Sequence, residues 1–71
     1  MADSVYRVTE IVGTSSESWE AATRTAVDTA SRSLRDLRIA EVVRLDVTID
    51  DGRVATYRAR LNVSFKYEEG D

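Results

Sequence analysis

The sequence predicts an α+β protein of order β-α-β-β, in which a three-stranded antiparallel sheet wraps partly around one helix. Three observations lead there: a β-branched and aromatic run from Val5 to Val12, a long stretch of three- and four-residue apolar spacing after it, and two alternating runs on either side of Asp51-Gly52. Seventy-one residues make one small domain spanning 1–71.

The elements follow in order. VYRVTEIV, closed by Gly13, has the composition of a strand. Thr14 and Ser15 are candidate N-caps, since either hydroxyl could accept from a free N–H of the first helical turn, and Glu17 completes a capping box with Thr14. From about Ser16 to Leu37 the residues Trp19, Ala22, Ala26, Ala30, Leu34 and Leu37 form one apolar stripe. Opposite it, Glu20, Arg24, Asp28, Arg32 and Asp36 form a ladder of alternating charge, the mark of a solvated face. The three alanines predict a helix lying close to its sheet.

The second strand runs from Ile39 to Asp50, with Val43, Leu45, Val47 and Ile49 alternating with Arg44, Asp46, Thr48 and Asp50. Asp51-Gly52 is a tight hairpin turn. The last strand, Arg53 to Tyr67, points Ala55, Tyr57, Ala59, Leu61, Val63, Phe65 and Tyr67 one way, and Thr56, Arg58, Arg60, Asn62, Ser64 and Lys66 the other. The terminal EEGD is a polar, fraying end. Such a strand would extend about 50 Å, whereas the helix would extend about 30 Å. One helix cannot cover that sheet. The sheet must curl, and neighbouring copies must bury the overhang, so self-association is expected of a chain this small with no disulfide to staple it.

Composition excludes several classes. There is no Cys and no His, which removes thiol chemistry, the usual zinc ligands and the usual general base. A net charge of −3 argues against a nucleic-acid binder. No apolar run approaches a membrane span and no signal-peptide pattern opens the chain, so a cytoplasmic location without membrane binding is expected. The three glycines are isolated and form no phosphate-cradling loop. Lys66, the one lysine, stands among alternating polar residues with no sign of the burial that would activate it. An enzyme is not expected.

The run VYRVTEIVGTS, the helix opening SWE, the AEVV segment, the Asp51-Gly52 turn and the closing LNVSFKY resemble the dodecin family from about Val5 to Lys66. The resemblance implies a hollow homo-dodecamer that sequesters small ligands, in most described members flavins. Pairs of flavin rings are sandwiched there by a tryptophan opening the second strand, and a glutamine on the third bonds the ring edge. Here those positions are Ile39 and Arg58. Ile39 has no π face to stack and Arg58 cannot accept a hydrogen bond. The substitutions, with SWE, DLRIA and TYR, look more like the branch called calcium dodecin, in which the assembly is kept and the flavin sandwich is missing. Flavin is therefore not an expected cofactor.

Two ligand readings remain, beside a retained flavin site and a purely structural cage. Arg58, with Asp46 and Lys66 on the polar face and Ile39 at the former stacking position, could line an interface pocket for a small or anionic ligand. Calcium or another divalent cation needs six to eight oxygens, more than one loop of this chain collects. Asp46 to Gly52 misplaces the glycine and acid of a calcium loop and fits a hairpin better. Symmetry could multiply a carboxylate near an axis instead. By the resemblance Glu17 holds such a position, and Glu10 and Asp46 are weaker candidates.

Overall fold

A computed structural model describes residues 3–66. Its elements are β1 (Tyr6–Ser15), α1 (Trp19–Ala30), β2 (Leu37–Asp50) and β3 (Arg53–Lys66). The sheet is antiparallel throughout, in the order β1-β3-β2. Tyr67 and the EEGD end lie outside the described residues.

Gly13 does not end β1. The strand continues through it to Ser15, because a residue without Cβ lets α1 settle onto the sheet. A Cβ there would collide with the Ala22 carbonyl oxygen and come within 2.7 Å of the Ala26 Cβ. The helix is shorter than its apolar spacing predicts, at twelve residues and about 18 Å. Ser18, not Thr14 or Ser15, is the N-cap, and its Oγ accepts from Ala21 N at 3.0 Å. The Ser15 hydroxyl instead accepts from Glu17 N at 2.9 Å, so Glu17 belongs to a turn before the helix and makes no capping box.

At the other end the chain leaves the helix after Ala30 in tight turns, with Arg32 N donating to Thr29 O and Ser33 N to Ala30 O. Asp36, at φ 57°, turns the chain into β2. Leu34 and Leu37 continue the helical spacing but reach the core from the turn and from β2. The charge ladder is cut with the helix. Only Glu20, Arg24 and Asp28 lie on α1, and among the described residues no ion pair joins them.

Asp51 and Gly52, both at positive φ, close the β2–β3 hairpin as a two-residue turn. The β2–β3 register then shifts three times, between Leu37 and Ile39, Val42 and Arg44, and Thr48 and Ile49. The apolar alternation of β2 is interrupted at Val43, while Leu45 and Val47 keep one side, across from Ala59 and Tyr57. Val43 sits at a bulge, and Val43, Leu45 and Ile49 are exposed in the protomer rather than half-buried; Val47 alone of that stripe is partly buried.

The core is small: Ala22, Ala26, Ala59, Leu61 and Val63, with Ile11, Val27, Leu34 and Leu37 packed against it. The molecule measures 54 × 20 × 15 Å. Its radius of gyration is 14.7 Å, where a compact chain of this length would have about 11 Å. Its accessible surface is 5505 Å², against about 4,400 Å² for a compact monomer of this mass.

Two substitutions test this packing by thermal or denaturant unfolding. Gly13→Ala is expected to destabilise by about 1–3 kcal/mol, because the atom it meets is backbone and cannot rotate away. Ser18→Ala is expected to lose about 1 kcal/mol by leaving the Ala21 N–H without its cap. An unchanged Gly13→Ala variant would contradict the close seating of helix on sheet.

Candidate functional site

The face of the sheet away from α1 carries the charged side chains. On β3, Ala59, Leu61 and Val63 are buried under the helix, so Arg58, Arg60, Asn62 and Ser64 project to the opposite side. The register sets Asp46 directly across from Arg58. Arg58 Nε donates to Asp46 Oδ1 at 2.7 Å and Nη2 to Oδ2 at 3.2 Å, a forked pair. The Asp46 carboxyl is held below its usual 3.8, mainly by the hydrogen bond from Arg58, against a smaller opposing effect of desolvation and with help from the positive charges of Arg58, Arg60 and Arg44. Asp46 in turn raises the Arg58 pKa, first through the same hydrogen bond.

The two strands are also tied through α1. Trp19, expected in the core stripe, is 38% exposed; its ring stands edge-on to Tyr57 at 5.2 Å, and its Nε1 donates to Asp46 O at 3.1 Å. One residue of β2 is thus held by its backbone on the helix side and by its carboxylate on the other. Neither Tyr57 nor the Trp19 indole was marked for this role by sequence pattern. The signal was present in the hairpin: counting back from Asp51-Gly52 brings Asp46 opposite Tyr57, one residue from the true register.

Other expected site residues stand apart. Ile39 lies opposite Ser64, whose hydroxyl donates to Ile39 O at 3.4 Å. It is 64% exposed, at a cavity of about 190 Å³ shared with Val27, Leu37, Ala40 and Val63. The Ile39 row lies six positions along β3 from Arg58, roughly 20 Å. A single pocket containing both would draw them from different copies. Lys66 is exposed at the end of β3, opposite Tyr6.

Glu10, on β1, accepts from Arg60 Nη1 at 3.4 Å. Glu17 is exposed in the turn before α1, seven residues further along the chain. Among the described residues no three carboxylates gather. A groove of about 450 Å³ between β1 and α1 is lined by Ile11, Gly13, Ala26, Thr29, Ala30 and Leu34, and contains none of the expected site residues.

This geometry defines a helix-cradling β-α-β-β protomer with a charged rather than aromatic sheet face. The dodecin family model matches residues 5–68. The chain is 48% identical over 63 residues to calcium dodecin of Mycobacterium tuberculosis, covering 89% of each, and 42% identical over 65 residues to dodecin of Thermus thermophilus, covering 92% of this chain and 94% of that one. Its fold is similar to the solved dodecin of Streptomyces coelicolor, with TM-score 0.91 at 43% identity, covering 99% of this chain and all of the other. It is also similar to the crystal structure of the calcium-chelating calcium dodecin of M. tuberculosis, with TM-score 0.82 at 44% identity, covering 96% and 97%. The chain belongs to the dodecin family.

The forked pair makes a pH prediction. A carboxylate whose folded pKa is depressed contributes stability that is present above its unfolded value and lost as pH falls through the folded one. Arg58→Gln is therefore expected to lower the melting temperature at neutral pH, with the difference from the parent closing below pH 3.8 as Asp46 protonates. A difference that persists undiminished in acid would contradict the pairing.

Proposed function

We propose that this chain is a non-enzymatic subunit of a dodecin-type homo-dodecamer that stores or sequesters small ligands at subunit seams in the cytoplasm. The observation that carries the reading is the apolar surface left open on one protomer: Val5, Val8, Ile39 and Ile49 are each 60% exposed or more, and Val54 is 52% exposed. Exposure of that extent along strands marks a surface that other copies cover. The site residues then lie at seams, which is where distant positions such as Ile39 and Arg58 can meet.

Flavin binding is weak or lost in this reading. Ile39 offers no ring, and Arg58 is engaged by Asp46 in place of a glutamine that could bond a flavin edge. Calcium or another divalent cation is the favoured occupant, held by Glu17, with Glu10 as a second candidate, repeated around symmetry axes. Similarity to a relative named for calcium supports it. No catalytic role is assigned, because the chain lacks His and Cys and its lysine is exposed.

Riboflavin and FMN titrations, read by flavin fluorescence, test the first part; no quenching at nanomolar concentrations is expected, and strong quenching would refute it. Ile39→Trp with Arg58→Gln is expected to restore measurable quenching. For the cation, the melting temperature is expected to rise in excess calcium and fall in EDTA, and Glu17→Gln to reduce that response. Identical melting in both solutions would count against it.

A further inference from the structure

One juxtaposition on the charged face sets like charges together. The register sets Arg44 of β2 directly opposite Arg60 of β3. Arg60 points away from the helix, since its neighbours Ala59 and Leu61 are buried beneath it, and Arg44 shares its side of the sheet. Like charges directly opposite one another on a sheet are unfavourable. The register shift between Thr48 and Ile49 sets this pairing and the bulge between Val42 and Arg44 ends it, and bulges commonly re-aim side chains beside binding sites.

The carboxylates facing the two arginines do not resolve it. Asp46 gives both its oxygens to Arg58. Glu10 receives a single Arg60 nitrogen at 3.4 Å, at the limit of a hydrogen bond. Glu41 lies one row away, across from Asn62. Among the described residues Arg44 makes no ion pair. Both arginines are close enough to Asp46 to act on its carboxyl, so the cross-strand pair concentrates two N–H forks on one part of the face, and such forks suit a tetrahedral oxyanion.

We propose that Arg44 and Arg60 form a two-armed seat for a phosphate group, free or carried on a small molecule, with Arg60 exchanging its long contact to Glu10 for the anion. The proposal deepens the ligand-storing reading by naming a ligand chemistry and the residues that meet it. It also moves the anion contact from Arg58, which Asp46 occupies, to the neighbouring pair.

The test is isothermal titration of the assembled protein with inorganic phosphate and with glycerol 3-phosphate, against sodium chloride at matched ionic strength. Saturable binding is expected, reduced about tenfold or more in Arg44→Gln and in Arg60→Gln, less in Arg44→Lys, and unchanged in Arg53→Gln at the hairpin turn. Equal affinities would mark a seat for free phosphate, and tighter binding of the monoester a seat for a carried one. Melting curves supply a second readout. In chloride, Arg44→Gln is expected to melt slightly higher than the parent because the repulsion is gone; in phosphate, only the parent gains. Absence of saturable binding at millimolar phosphate, or unchanged affinity in both glutamine variants, would overturn the proposal. A monomer that binds phosphate through both arginines would refute the shell and keep this seat, whereas a shell indifferent to phosphate would do the reverse.

Discussion

A helix of twelve residues seated on strands of up to fourteen leaves most of the sheet without a partner. The close seating comes from small side chains: Gly13 beneath Ala22 and Ala26, with Ala59 completing the floor. Small residues bring backbones together but bury little apolar area. The consequence is a core of three alanines, one leucine and one valine, and a surface on which Ile39, Ile49 and Val8 remain open. Such a protomer is incomplete by construction. The proposed assembly, with its ligands at the seams, rests on that shortfall.

The same incompleteness explains the scatter of the candidate site. Ile39, Arg58, Lys66 and Glu10 are spread along the length of an elongated sheet, and Glu17 lies off it in the turn before α1. What the protomer does organise is the charged sheet face around Asp46. Its backbone accepts from Trp19 and its carboxylate from Arg58, so the indole and the guanidinium hold one β2 residue from both sides. The glutamine contact that the resemblance attaches to flavin-binding dodecins is replaced, at Arg58, by an ion pair with Asp46.

Much of the fold was legible in the sequence, and its failures are local. Element order, antiparallel pairing and the Asp51-Gly52 turn follow from alternation and turn chemistry. The end of the helix does not, because Leu34 and Leu37 keep the helical spacing while packing from a turn and a strand; only the tertiary contact distinguishes the cases. Its start was displaced because Thr14, Ser15 and Ser18 are equally good caps by composition, and the choice is made by β1 running on through Gly13. The β2–β3 register shifts leave no mark in the residue pattern, yet the one between Thr48 and Ile49 decides that Asp46 faces Arg58 and Arg44 faces Arg60. That the polar face would carry cross-strand charge was readable from alternation; which residue faces which was not.

Sedimentation velocity across a micromolar dilution series measures the shortfall most directly. One species of about twelve times the 7.9 kDa chain mass, persisting on dilution, is the expected result. A folded, soluble single chain at those concentrations would mean that the protomer satisfies its own surface, and would contradict the closed shell.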